Sequence, residues 1–160
     1  NPALCWVDSW SFERLLGRID LVIKNPGAAG ADRAALRRLT SRLHALYRGP
    51  FLGRDMQAGW AVAPRERLQT KYLCMLSALG RRWETLEEWG HAAECYEKAI
   101  DVHPQAEEYY QRLILAYRQL GRAADSKAVY QRCRQTLQAT LGRPPSPATE
   151  AIHRDTVATG

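Results

Sequence analysis

The stretch LCMLSALGRRWETLEEWGHAAECYEKAIDVHPQA, residues 73–106, and the stretch after it, EEYYQRLILAYRQLGRAADSKAVYQRCRQTLQ, residues 107–138, decide the fold of this chain. With Leu73 as position 1 of a 34-residue unit, Leu76, Leu79, Gly80, Trp83, Ala92, Tyr96, Ala99 and Pro104 occupy positions 4, 7, 8, 11, 20, 24, 27 and 32. A second unit starting at Glu107 puts Tyr110, Leu113, Ala116, Tyr117, Gly121, Tyr130 and Cys133 at positions 4, 7, 10, 11, 15, 24 and 27. The chain therefore repeats itself, and each unit reads as two helices joined by a turn.

The spacing has a physical basis. Gly80 and Ala92 are small where the two helices of one unit approach, and Trp83 and Tyr96 supply the volume beside them, so large side chains interlock with small ones. Pro104 ends the second helix of the first unit and pushes His103 out of the helical region, so the next helix starts near Ala106. This is the tetratricopeptide pattern, whose units stack helix against helix and build surfaces rather than reaction centres. The fold expected is all-α, a tetratricopeptide-like right-handed helical repeat array of about seven helices with repeats at about 73–106 and 107–138.

Working outward, Phe12, Leu15, Leu16, Ile19, Val22 and Ile23 form a stripe that predicts a helix from about Ser9 to Lys24 with Asp8 as its N-cap. After the Gly/Pro loop from Asn25 to Ala31, Asp32 is the expected cap of a second helix to about Tyr47, lined by Leu36, Leu39, Leu43 and Leu46. These two are expected to form an antiparallel hairpin joining the repeats. Gly49 to Ala63 reads as a long irregular segment whose Phe51, Leu52, Met56 and Trp60 pack down on a core. Pro64 suits the first turn of a helix to about Leu86. Further helices are predicted over about His91–Val102, Ala106–Leu120, Ala123–Leu141 and Pro147–Val157, with Gly142 as a C-cap residue and Ser146-Pro147 as N-cap and first helical position. No segment alternates as a strand does, so no sheet is expected.

At 160 residues the chain is one domain's worth, long enough for a continuous core. No run approaches the roughly 18 to 20 apolar residues of a membrane span, and residues 1–14 do not resemble a signal peptide. A cytoplasmic location with no membrane contact is the expectation. Cys5, Cys74, Cys95 and Cys133 are scattered without a Cys-x-x-Cys pair, which argues against a disulfide framework. Cys133 falls on a small-residue packing position and reads as a buried thiol. His91 and Cys95 share a helical face, but two ligands do not make a zinc site, so no metal or other cofactor is expected. Catalysis needs a nucleophile with its base, paired carboxylates or a metal cluster, and none has meaningful spacing. Asp101 and His103 are close in sequence but lie beside a helix end. No catalytic residue is assigned, and the chain is not expected to be an enzyme.

Charge is carried by 19 Arg against 4 Lys, with a net of +6. Arg33, Arg37, Arg38, Arg42 and Arg48 cluster around the second predicted helix as a candidate basic patch, which can be a nucleic-acid footprint or a solvated face. No aromatic residues are interleaved with them, as base stacking would require.

Longer words of the sequence resemble the bacterial transcriptional activator domain. They are Cys5-Trp6-Val7-Asp8 with Phe12-Glu13, Leu46-Tyr47-Arg48-Gly49-Pro50-Phe51-Leu52, Trp60, and Arg65-Glu66-Arg67-Leu68. Tyr117, Leu120-Gly121-Arg122, Val129-Tyr130, Cys133-Arg134, Leu137, Leu141-Gly142 and Pro145-Ser146-Pro147 match that family's closing stretch. The likeness spans nearly the whole chain, and the order of its words is what makes it specific. It implies a tetratricopeptide-like domain of regulators of the antibiotic regulatory protein type, serving protein contacts and self-association beside a winged-helix domain that reads DNA. This chain has no winged helix and no starting Met, so it looks like a piece of a larger regulator. The acidic stretch Trp83 to Gly90 departs from the family, reading as a longer turn than the second repeat has.

In such an array positions 2, 5, 9 and 12 of each unit face a concave surface. They are Cys74, Ser77, Arg81 and Glu84, then Glu108, Gln111, Leu115 and Arg118. Arg81, Glu84, Gln111 and Arg118 are the candidate partner-binding residues, suited to an acidic or amide-rich peptide. The expected partners are proteins: other domains of the same regulator, the transcription machinery, and a second copy as a weak homodimer. DNA is expected only through an attached winged helix. Two other readings stay open: a small-molecule effector held between helices, and direct nucleic-acid binding by the Arg-rich second helix, which would be salt-dependent.

Overall fold

The computed structural model of the chain describes residues 2–25, 27, 29–47 and 62–158. Among these the chain is all-α, a helical repeat array of seven helices without a strand. They are α1 (Pro2–Lys24), α2 (Ala29–Leu46), α3 (Val62–Thr85), α4 (Trp89–Val102), α5 (Glu107–Gln119), α6 (Ala123–Leu141) and α7 (Pro147–Ala158). The expected Gly49–Ala63 loop, with Phe51, Leu52, Met56 and Trp60, lies outside the described residues up to position 61, as does Arg48. Val62 and Ala63 already belong to α3.

The chain divides into two compact units, Asn1–Met75 and Leu76–Gly160. In the first, α1 and α2 pair across a short connection and bury Phe12, Leu15, Leu16 and Ile19 with Leu36, Leu39 and Leu43. Leu68 and Tyr72 of α3 are buried too, and Tyr72 stacks on Tyr47 at 3.8 Å between ring centroids with Phe12 6.2 Å from each ring. Lys71 donates to Glu13, and that bond holds the Glu13 carboxyl below its usual pKa range.

Two expected caps are corrected. Asp8 is not an N-cap but lies inside α1, because nothing from Pro2 to Val7 breaks a helix and a proline suits its first position. Asp32 lies in the first turn of α2, which starts at Ala29, and is buried. A carboxylate there still complements the positive end of the helix.

The second unit, from Leu76 on, takes in all but the first three residues of the stretch expected to repeat. α4 packs on α5, α5 on α6, and α7 on both α5 and α6. At Gly80 α3 and α4 approach closely, since a Cβ added there would lie 2.5 Å from Cζ of Tyr96. Trp83, Ala92, Tyr96, Ala99 and Ile100 are buried in the first repeat, and Tyr110, Leu113, Ile114, Ala116, Tyr130, Cys133 and Leu137 in the second. His103, before Pro104, is the first residue out of the helical region after α4, with φ −136° and ψ 77°.

The turn of the first repeat is not longer than that of the second. Three residues separate the helices in both, 86–88 and 120–122, an offset of 34. Their hydrogen bonds correspond: Glu88 N–H donates to Trp83 O at 3.0 Å and Arg122 N–H to Tyr117 O at 2.9 Å, while Glu87 N–H reaches Glu84 O and Gly121 N–H reaches Arg118 O. Each turn needs one left-handed residue, Gly121 at φ 69° and Glu87 at φ 59°. The second is a glutamate, which pays about 1–2 kcal/mol of backbone strain there. Glu87→Gly is therefore expected to stabilise the protein by about 0.5–1 kcal/mol after the added chain entropy of glycine is subtracted. Urea unfolding checks this, and a variant less stable than the parent would show that the Glu87 side chain supplies something the strain conceals.

Candidate interaction surface

The candidate partner-binding residues lie on α3 and α5, the first helices of the two repeats. Arg81 is exposed and donates to Ser77 Oγ at 3.1 Å. Ser77 itself is buried, so it braces the arginine rather than facing a partner. Arg118 is half-buried, and its guanidinium has no hydrogen-bond or ion-pair partner among the described residues. Glu108 is exposed and Leu115 half-buried. Cys74, in the first unit, is exposed.

Glu84 and Gln111 are engaged within the fold. Glu84 accepts the Tyr96 hydroxyl at 2.8 Å with one carboxylate oxygen and pairs with Arg112 at 3.1 Å through the other, so a single side chain ties α3 to both α4 and α5. Burial, reinforced by that acceptor, pushes the Tyr96 hydroxyl's pKa up and keeps it a donor. Gln111 donates to Thr149 Oγ1 at 2.8 Å, and Thr149 in turn donates to Glu107 at 2.5 Å. Glu107 also accepts the Ser146 N–H at 2.5 Å and pairs with Arg143 at 3.5 Å. Burial works to raise the Glu107 pKa, but the bonds from Ser146 and Thr149 and the charge of Arg143 outweigh it and leave it lowered.

This network seats α7 along α5. Ser146 is the N-cap expected from the sequence, its Oγ accepting the Thr149 N–H at 3.4 Å, and Gly142 ends α6 at φ 63°. Tyr130 completes the seat, donating to Glu150 at 2.7 Å while its ring stacks on His153 at 3.7 Å. In the first repeat the equivalent Tyr96 lies over Gly80, whereas the second repeat has Ile114 at the place of that glycine. Arg112, Glu107 and Thr149 were missed by sequence reasoning. Their bonds span 28 to 42 residues, and no local spacing announces them.

Burial pushes the Cys95 and Cys133 thiols up to about 12, with nearby Glu94 and Glu107 adding to it, so both stay protonated and inert near neutral pH. The His91 ring lies 4.9 Å from the Trp83 ring and its Nδ1 is 3.4 Å from Glu94, while Cys95 is fully buried. No helix among the described residues is long and apolar enough to cross a membrane. The basic patch is on α2, where Arg33, Arg37, Arg38 and Arg42 are all exposed.

The described residues of the second unit thus form a helical repeat stack that carries Arg81, braced by Ser77, and an unpaired Arg118. The chain belongs to the bacterial transcriptional activator domain family, whose model matches residues 7–156. It is thus a domain of the transcription-activator type, from a regulatory rather than an enzymatic family. Searches of curated proteins and of solved structures return no match.

Proposed function

We propose that residues 76–160 form a docking surface through which a transcription regulator engages a protein partner, with sequence-specific DNA reading supplied by a domain outside these 160 residues. The observation that supports this reading is the pair Arg81 and Arg118. Both project from first helices of the repeats, and Arg118 has no acidic partner among the described residues. Two guanidinium groups on a helical stack suit an acidic segment, since each offers a planar fork that can pair bidentately with a carboxylate. Glu84 and Gln111 contribute by bracing the stack.

Self-association is the second part of the proposal. The outward residues of α7 are small or polar, Ala148, Ala151, Arg154 and Asp155, which is what a capping helix presents to water. The most exposed large apolar side chains among the described residues are on α1, where Trp10 and Leu21 lie on one helical face at 67% and 62% exposure. Pairing of weak DNA readers through this domain would raise their effective concentration on repeated sites.

The test joins the chain to an unrelated DNA-binding domain upstream of a reporter. Activation is expected, and Arg81→Ala with Arg118→Ala should lower it about fivefold, the effect of roughly 1 kcal/mol of contact energy, with promoter occupancy unchanged. Undiminished activation by the double variant would reject the surface. For the isolated chain, sedimentation is expected to reveal a reversible dimer by about millimolar concentration, and a strict monomer there would remove self-association from the proposal.

A further inference from the structure

The net positive charge of the chain lies in one unit. Residues 1–75 carry twelve Lys and Arg against six Asp and Glu, whereas residues 76–160 carry eleven against eleven. The whole net of +6 therefore belongs to the first unit. Its described acids are largely spent: Glu13 on Lys71, Asp20 on Lys24 at 2.7 Å, and Asp32 in the buried first turn of α2.

The exposed side of α2 has a definite layout. Arg33 and Arg37, one turn apart, occupy one flank, and Arg38 and Arg42 occupy the other. Between the flanks are Ala34, Ser41 and Ala45, all exposed and all small. Arg38 and Arg42 have no acidic partner among the described residues.

We infer that this face of α2 is a second, sequence-independent contact to duplex nucleic acid, made to phosphates of the backbone. The layout distinguishes this occupant from an acidic protein. The strip between the two arginine pairs carries no large apolar side chain, so this face offers a protein only charge, which is all that a phosphate backbone asks for. A phosphate backbone needs only fixed cations, and guanidinium binds phosphate oxygens bidentately where an ammonium acts as a point charge. The small central strip lets the helix approach the backbone. The lack of interleaved aromatics excludes stacking on single-stranded bases and leaves the duplex as the target. In the full regulator this contact would add affinity beside the specific site without changing which sequence is read.

Fluorescence anisotropy of a labelled random-sequence duplex, titrated with the 160-residue chain from about 50 to 200 mM salt, tests it. Binding is expected to be weak, insensitive to duplex sequence, and to fall with a log–log salt slope of about −2 or steeper, the part that phosphate contacts by Arg38 and Arg42 give. Arg38→Ser with Arg42→Ser should flatten the slope by about 2 and weaken binding at least tenfold at the lowest salt. Arg38→Lys with Arg42→Lys, which keeps the charge and guards against a folding defect, should restore the slope while remaining weaker than the parent. The control, Lys98→Ser with Lys127→Ser on the second unit, removes equal charge and should leave the slope unchanged. An equal loss in the control pair, a parental slope shallower than about −1, or binding of a polyglutamate peptide as tight as binding of the duplex would overturn the inference. None of these outcomes touches Arg81 or Arg118, so failure here is separable from failure of the docking surface.

Discussion

Trp83→Ala is expected to destabilise the protein by about 3–5 kcal/mol, the largest effect of any single truncation considered. The indole is fully buried, packs against the His91 ring at 4.9 Å, and sits at the turn where its own carbonyl accepts the N–H groups of Leu86 and Glu88. Removing it leaves a cavity at the end of the first repeat that helices already tied by Glu84 cannot collapse to fill. Trp83→Phe separates volume from polarity, because the indole N–H is buried with no acceptor among the described residues. The phenylalanine variant keeps most of the volume and loses that donor, so its cost should stay under about 1.5 kcal/mol. Urea unfolding followed by helical dichroism measures both. A loss below about 1 kcal/mol for the alanine variant, the level of an exposed site, would contradict the burial described.

Gly80→Ala is expected to destabilise by about 1–3 kcal/mol, although the same change in an open helix would stabilise by close to 1 kcal/mol. The reversal comes from Tyr96, whose Cζ, Cε1 and Oη would lie 2.5, 2.6 and 2.7 Å from the new Cβ. The ring cannot swing aside: it is 1% exposed, and its hydroxyl is bonded to a Glu84 that Arg112 holds in turn. In a Tyr96→Ala background the obstruction is gone, and Gly80→Ala should become stabilising. The change of sign between backgrounds is the decisive measurement. A Gly80→Ala variant that is stabilised with Tyr96 present would refute the close approach.

The local core was legible in the sequence because it is encoded by spacing. Gly80, Trp83, Ala92, Tyr96 and Ala99, with Tyr110, Leu113, Tyr117, Tyr130 and Cys133, are buried as the 34-residue period required. Pro104, Gly142 and Ser146 marked their helix ends because each acts through its own backbone geometry or a neighbour three residues away. The first repeat's turn was misread for the same reason: the left-handed residue there is Glu87, not a glycine, so the usual marker was missing while the hydrogen bonds that define the turn were not. The starts of α1 and α2 were misplaced because Asp8 and Asp32 look like caps in a helix-permissive context.

The sequence by itself determined the fold class, the repeat register, the family and the arginine cluster of α2, all of which depend on residue identity and short-range periodicity. Only the tertiary structure decided which polar residues are spent and which remain to meet a partner. Glu84 and Arg112 are 28 positions apart, Gln111 and Thr149 are 38 apart, and Glu107 and Thr149 are 42 apart. Whether such pairs meet depends on how the helices stack. A polar side chain on an amphipathic helix looks the same in sequence whether water, a neighbouring helix or another molecule completes its hydrogen bonds.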